Sequence, residues 1–222
     1  MNIVNFSGGK DSTAMLLMMI EKGMSIDRII CVDTSKEFPA MYRHINKVQK
    51  MCPIKIEIVK IDFDYWFGEH VKTKGCIGEI GYGWPNMLNR WCTALKSAAI
   101  NKSIKEIKKV DRIKFIGIAY DEIYRNKKSN FQYPLVEWGI TEKQALEYCY
   151  SKGLDWEGLY KKFHRVSCWC CPLSRIGELR VLYNEFPKLW TELIEMQKKS
   201  FRKFKGDYFV NDLSEKFANE NI

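Results

Sequence analysis

The amino-acid sequence predicts an α/β fold: a doubly wound parallel sheet followed by a C-terminal helical, cysteine-bearing region. Three observations carry that expectation. Residues 2–61 alternate between short apolar strands and helical stretches. A glycine-paired turn joins the first strand to the first helix. The densest cysteine cluster lies late, at Cys168-Trp169-Cys170-Cys171, in a stretch with helical patterning beyond it.

Residues 2–6 form a short β run that ends at Ser7-Gly8-Gly9. Asp11 or Ser12 opens a helix with Ala14, Leu17 and Met18 among its apolar positions, and Gly23 stops it. Residues 28–33 read as a second buried strand, and a helix from about Pro39 to Met51 ends before Pro53. Residues 54–61 alternate as a third strand. This order is that of a parallel sheet with right-handed crossovers. Residues 65–90 hold Gly68, Gly75, Gly78, Gly81, Gly83 and Pro85, which reads as a long substrate-facing loop or lid. A helix is expected over 91–110, with Ile100, Ile104 and Ile107 on one face. A strand is expected over 114–119, and an extended stretch over 133–136. Thr141 starts a capped helix, and 179–204 is helical with an interruption near Pro187. Two regions follow: 1–125, the α/β domain with the glycine loop, and 126–222, a helical region packed with it as one unit.

Composition narrows the class. With 222 residues, 46% hydrophobic and 28% charged, the chain can bury a sizeable core without disulfides. Its net charge of +9 suggests phosphate-rich partners, nucleotides or nucleic acid, against the alternative of a basic protein with no polyanion partner. Residues 1–4 run straight into a strand, so no signal peptide is expected. The apolar stretch 14–20 is too short to span a bilayer. Eight cysteines in that context imply reduced thiols that serve metal or catalysis. A cytoplasmic protein with no membrane partner is expected.

Ser7-Gly8-Gly9-Lys10-Asp11-Ser12 is the main chemical signal. Paired glycines allow a sharp turn whose N–H groups point at an anion, and the helix that follows adds unpaired donors and the positive end of its dipole. Lys10 brings a mobile charge, and Ser7 and Ser12 bring hydroxyls. The spacing is not that of a Walker A loop. The hexapeptide resembles the PP-loop of the adenine nucleotide alpha-hydrolase-like superfamily, which includes ATP pyrophosphatases, tRNA-thiolating enzymes and sulfonucleotide reductases. That resemblance implies a doubly wound sheet of the HUP/PP-loop type. It also implies an adenine nucleotide, ATP or an adenylyl sulfate, with Mg²⁺. Asp33, Thr34 and Phe38 after the second strand, and Gly117 and Ile118 after a later one, match the nucleotide-facing positions of the superfamily. Asp121, Glu122 and Arg125 follow the same strand and could touch substrate or magnesium, or form a solvated charged loop.

Thiols at Cys168 and Cys171 have the spacing to grip one metal or cluster, and Pro172 after them is a feature of iron–sulfur loops. Zinc or redox chemistry fits a lone C-x-x-C equally well. The segment Arg90-Trp91-Cys92-Thr93-Ala94-Leu95-Lys96 resembles the R-x-C-x-x-x-K element of PAPS-reductase-like proteins. In those, a cysteine pairs with a downstream C-x-x-C on a four-iron cluster. Cluster-bearing reductases carry two adjacent cysteines at the first site, and here Trp91 replaces one. The resemblance therefore implies a 4Fe-4S cluster on Cys92, Cys168 and Cys171, with structural Zn²⁺ as the alternative. The further ligand is Cys149, Cys170 or Cys76, or an open iron. Cys31 and Cys52 read as packing residues. His44, His70 and His164 are isolated and read as surface or packing residues.

The whole resembles small PAPS-reductase-like proteins, including DndC-like relatives of DNA phosphorothioation. The intact Lys10, Asp11 and Ser12 and the lack of a cysteine after Cys171 favour ATP over a sulfonucleotide as substrate. The expected activity is an ATP-dependent, AMP- and pyrophosphate-forming transfer of adenylate or sulfur. Lys10, Asp11, Ser12, Arg90 and Lys96 would be its catalytic groups. A tRNA or DNA acceptor is suggested by Lys102, Lys105, Lys108, Lys109, Arg112 and Lys114, and a donor such as a cysteine desulfurase would supply sulfur. The alternatives are a reductase of APS or PAPS and a non-catalytic, nucleotide-dependent accessory protein.

Overall fold

The computed structural model describes residues 1–73, 78–125 and 131–220. It divides into two compact units, each assembled from separate stretches: residues 1–33, 37–60 and 97–166 in the first, and 34–36, 61–96 and 167–222 in the second.

The strands are β1 (Asn2–Asn5), β2 (Arg28–Asp33), β3 (Ile56–Lys60), β4 (Ile113–Ile116) and β5 (Phe131–Gln132). The longer helices and helical turns are α1 (Lys10–Glu21), α2 (Pro39–Gln49), α3 (Phe63–Gly68), α4 (Trp91–Ser103), α5 (Pro134–Glu137), α6 (Glu142–Ser151), α7 (Leu159–Lys162), α8 (Ile176–Glu185), α9 (Pro187–Lys198) and α10 (Val210–Asn219). No helix among the described residues is long and apolar enough to cross a membrane.

All five strands lie in the first unit and pair in parallel in the order β3-β2-β1-β4-β5, as expected for a doubly wound sheet. Val4 sits opposite both Ile29 and Phe115, so apolar residues run across the centre of the sheet. Ile3, Ile30 and Ile104 form a buried cluster beneath it, with Val59, Ile100 and Ile107 against its margin. The chain leaves β1 toward β2 on one side and later adds β4 on the other. The switch point therefore falls between the carboxyl ends of β1 and β4, where open α/β sheets take their ligands.

Several boundaries differ from the sequence expectation, each for a visible reason. The helix expected over 91–110 ends at Ser103, whose hydroxyl bonds back to the Ile100 carbonyl at 2.8 Å. The Arg28 guanidinium also takes the Ser103 carbonyl at 3.0 Å, and Ile104 reaches the core from a turn instead. Strand β4 stops at Ile116 because the Ile118 N–H folds back onto the Ile116 carbonyl. The stretch 133–136 is not extended: Pro134, with its fixed φ and missing N–H, opens the short helix α5. In the segment 65–90, the described residues 65–73 and 78–90 are more ordered than a loop, and Gly75 lies outside the described residues. The segment's start is the end of α3, and an antiparallel bridge joins Val71 to Ile80. Phe67 and Trp84 are fully buried, and the Trp84 indole donates to Gln197 at 3.1 Å.

The start of α6 carries the expected capping box, with Thr141 and Gln144 bonding each other's backbone, worth about 1 kcal/mol. The second unit's core is helical. Leu179 and Leu182 of α8, Trp190 and Leu193 of α9, and Leu213 and Phe217 of α10 are buried there. The Trp190 indole donates to the Ser214 hydroxyl at 2.9 Å, so the tail beyond Asp207 folds back as a packed helix.

Candidate functional site

The loop from Ser7 to Ser12 sits at the switch point of the sheet. Gly8 has φ +77°, a left-handed conformation that side chains resist, and a Cβ there would lie 2.6 Å from the Met41 sulfur of α2. Gly9 is the extended N-cap of α1. The first-turn amides of Asp11 and Ser12 have no intrahelical carbonyl to reach, so they are available to an anion. The Ser7 and Ser12 hydroxyls lie 3.0 Å apart, and the Ser7 N–H donates to the Ser12 hydroxyl at 3.2 Å, which draws the loop into a tight ring.

Gly117, just past β4, is held against this ring. A Cβ on it would stand 2.6 Å from the Ser12 nitrogen and 2.8 Å from the Asp11 carbonyl carbon. The first turn of α1 can lie on the end of β4 only because residue 117 has no side chain. Ile118 is half-buried beside it.

Lys10 is mostly buried, and its ammonium meets Asp11 at 2.9 Å and Glu142 at 2.5 Å. Carboxylate oxygens of Asp11, Glu122 and Glu142 lie within 4.8 Å of one another, the one such convergence of metal-ligand atoms among the described residues. Burial raises the Asp11 carboxyl above its usual range. Lys10 opposes that rise, and the charges of Glu142 and Glu122 add to it. Glu142 at the start of α6 was not among the sequence candidates. Its only local signal is an acidic residue in a helical first turn. Asp121 accepts the Glu142 N–H at 3.0 Å and so helps to fix α6, while the side chain of Arg125 lies outside the described residues.

A layer of side chains beneath the loop was also missed. The Trp156 indole donates to the Gly8 carbonyl at 2.8 Å, and the Tyr160 hydroxyl accepts the Lys10 N–H at 2.8 Å. His44, expected to be a packing or surface residue, stacks on Trp156 with ring centroids 4.1 Å apart and shares a 3.0 Å contact with the Thr13 hydroxyl. The Thr13 hydroxyl also lies 3.4 Å from the Gly8 carbonyl, and the buried Nδ1 of His44 has no hydrogen-bond partner. Burial, reinforced by Lys47, lowers the His44 pKa to about 3. Its folded value therefore lies below its unfolded value of about 6.5. The stabilising contribution of neutral His44 is complete above that pH and is lost as pH falls toward 3. We expect the melting temperature to drop below pH 6.5, at a slope of up to about 1.4 kcal/mol per pH unit. His44→Phe, which keeps the stack and lacks the titration, should flatten that slope; an unchanged slope would assign it to other groups.

The remaining nucleotide candidates fall in different surroundings. Asp33 accepts from the Tyr42 hydroxyl at 2.9 Å at the end of β2. Phe38 is buried against Phe163, with centroids 5.0 Å apart. Thr34 belongs to the second unit, where its hydroxyl lies 3.7 Å from the Cys168 sulfur.

The cysteine candidates are likewise divided between the units. In the second, the Cys171 N–H bonds to the Cys168 carbonyl at 3.1 Å, which closes the C-x-x-C turn. The Lys96 ammonium points at the Cys168 sulfur from 3.7 Å. Burial pushes the Cys171 thiol up, the charge of Cys92 adds to the rise, and Arg90 and Lys96 pull it down. Cys92, Cys171, Arg90 and Lys96 are thus close enough to interact. Cys170 is buried. Trp91, standing where a second cysteine was expected, is a core residue: its indole donates to the Gly83 carbonyl at 3.0 Å and packs on Phe63. Cys149 is buried in the first unit and donates weakly to the Lys10 carbonyl at 3.5 Å. Burial raises its thiol to about 12. Cys76 lies outside the described residues.

Comparison with known proteins bears on the whole of this arrangement. A family model described as the phosphoadenosine phosphosulfate reductase domain matches residues 1–174. The uncharacterised Methanocaldococcus jannaschii protein MJ0066 is 31% identical over 210 residues, 85% of this chain and 39% of the relative. MJ0973 of the same organism is 23% identical over 207 residues, 88% of this chain and 47% of the relative. The chain thus spans less than half the length of either. Among solved structures, the U34-tRNA thiolase NcsA from Methanococcus maripaludis, with its [4Fe-4S] cluster, aligns with all of this chain and 72% of its own. Its TM-score is 0.43 and the identity 17%. The family match extends from the glycine loop through Gly117 to the C-x-x-C turn, and the chain belongs to the phosphoadenosine phosphosulfate reductase domain family.

Proposed function

We propose that the chain is an ATP-dependent enzyme of the PP-loop type that cleaves between the α and β phosphates and activates an acceptor for sulfur transfer. The observation that carries this reading is the loop at the switch point, whose left-handed Gly8 and side-chain-free partner Gly117 turn the first amides of α1 toward an anion. The departing pyrophosphate would lie on these amides, with the Ser7 and Ser12 hydroxyls as further donors. Lys10 would neutralise its developing charge by exchanging carboxylate partners for phosphate oxygens. An oxygen of the acceptor attacks the α phosphorus, the bond to the bridging oxygen breaks, and pyrophosphate leaves. A sulfide-level nucleophile then displaces AMP from the acceptor, with the sulfur supplied by a donor such as a cysteine desulfurase persulfide whose S–S bond is reduced by an external thiol. Asp11, Glu122 and Glu142 would hold Mg²⁺, which when bound screens the phosphate charge.

The thiols of Cys92, Cys168 and Cys171, beside Arg90 and Lys96, suit a negatively charged thiolate-bound centre. A C-x-x-C turn with a third cysteine beside it suits a four-iron cluster, with a single structural zinc as the alternative. Such a cluster, with Cys170 as the further candidate ligand or with an open iron, would supply soft metal sites for sulfide. The first unit also carries exposed Lys102, Lys105, Lys108 and Lys109, which makes a nucleic acid, tRNA or DNA, the acceptor proposed here.

The test is pyrophosphate release from ATP by anaerobically purified protein, with and without added tRNA or DNA. Nucleic-acid-dependent release, together with a brown protein containing iron and sulfide, is the expected result. ATP that binds and is never cleaved with any acceptor would sink the reading. Sulfite formed from adenylyl sulfate with thioredoxin would replace it by reduction.

A further inference from the structure

Beside the phosphate loop, entirely within the first unit, lies a cleft of about 120 Å³ between the carboxyl ends of the strands and α2. Ser7, the first residue of the loop, lines it, and so do Asp33, Glu37, Tyr42 and Asn46. A nucleotide with its phosphates on the loop would extend its sugar here, because the same cleft joins Ser7 to the end of β2. In dinucleotide-binding sheets an acidic side chain at the end of the second strand takes the ribose hydroxyls, and a cation is needed where the ribose is phosphorylated.

In a chain with a net charge of +9, this cleft is lined by two carboxylates, and no lysine or arginine is among its described lining residues. Asp33 is fixed in place by the Tyr42 hydroxyl, which donates to it at 2.9 Å. Burial and the neighbouring carboxylate both raise the Tyr42 pKa, so the hydroxyl stays a donor. We infer that the cleft selects an adenosine nucleotide whose ribose is not phosphorylated, with Asp33 and Glu37 as the specificity-determining groups. A 3′-phosphate would bring about two further negative charges against both carboxylates in a cleft whose described lining residues include no lysine or arginine. The ribose hydroxyls, in contrast, find acceptors. The inference rests on the adenine-nucleotide reading of the loop. It separates this chain from the phosphorylated substrate after which its family is described.

Calorimetric titration of the full chain with ATP, adenylyl sulfate and 3′-phosphoadenylyl sulfate tests it. The expected result is binding of ATP, and adenylyl sulfate bound at least about tenfold more tightly than its 3′-phosphorylated form. The isosteric Asp33→Asn and Glu37→Gln changes should each narrow that ratio, as should added salt. Equal or tighter binding of the 3′-phosphorylated compound, or a ratio unchanged in the doubly substituted protein, would overturn the specificity inference while leaving the loop reading intact. Failure of all three nucleotides to bind would overturn both.

Discussion

On the proposed reading of the loop, replacing Gly117 by alanine is expected to weaken nucleotide binding while leaving the sheet folded. The new Cβ would lie 2.6 Å from the Ser12 nitrogen and 2.7 Å from the Ser12 Cα. These are backbone atoms of the first turn of α1 and cannot swing aside as a long side chain can. Relief requires the turn to move off the end of β4, which re-aims the amides of Asp11 and Ser12. Overpacking of this kind costs about 1–3 kcal/mol. If that cost falls on the binding-competent loop, the dissociation constant for ATP rises roughly ten- to a hundredfold. Calorimetry reads the affinity, and far-ultraviolet dichroism with a melting curve reads the fold. Gly177→Ala in α8, where an added Cβ meets nothing within 4 Å, is the control that should leave affinity unchanged. Wild-type affinity in Gly117→Ala would mean that phosphate binds elsewhere.

The features legible in the sequence are those written locally. The glycine pair between an apolar strand and an amphipathic helix announces the loop. Thr141 with Gln144 announces a helix start, and Pro187 a helix break, because each acts over three or four residues. The supports of the loop act over far greater distances in sequence. Trp156 and Tyr160 reach Gly8 and Lys10 across 148 and 150 positions. Nothing within residues 154–160 says that an indole and a phenol there will hold a turn near the start of the chain. Glu142 was hidden for a related reason, since an acidic first-turn residue is ordinary in a helix that also has a capping box. The two compact units were illegible too. Residues 34–36 belong with the cysteine-bearing unit although they follow directly on β2. The packing of Gly117 against the Ser12 backbone was not legible either, because a side-chain-free position after a strand has no meaning until its packing partner is known.

Lys10→Met tests the charge balance of the loop. The Lys10 side chain is only 9% exposed and its ammonium lies between Asp11 and Glu142, with Glu122 completing the acidic group. Methionine keeps the length and apolar stem and removes the charge. Two losses follow from that one change. A charge-assisted contact to phosphate disappears, worth about 1.5–3 kcal/mol, or a fall in ATP affinity of roughly ten- to a hundredfold. Asp11 and Glu142 also lose their ammonium partner, so the folded state itself is weakened, by about 1–3 kcal/mol at this partial burial. The second loss has a pH signature. Asp11 already has its folded pKa raised, by burial first, and Lys10 is the group that holds it down. Without Lys10 that pKa rises further. A carboxyl with a raised folded pKa destabilises most where it is fully charged, and the penalty fades as pH falls through the folded value. The melting temperature of Lys10→Met should therefore trail the wild type clearly at pH 8 and approach it toward pH 5. If Lys10 served only as a contact for phosphate, the gap between the two ligand-free proteins would be small and the same at both pH values. A gap that closes on acidification identifies Lys10 as the cation that lets an acidic cluster exist beside an anion-binding turn.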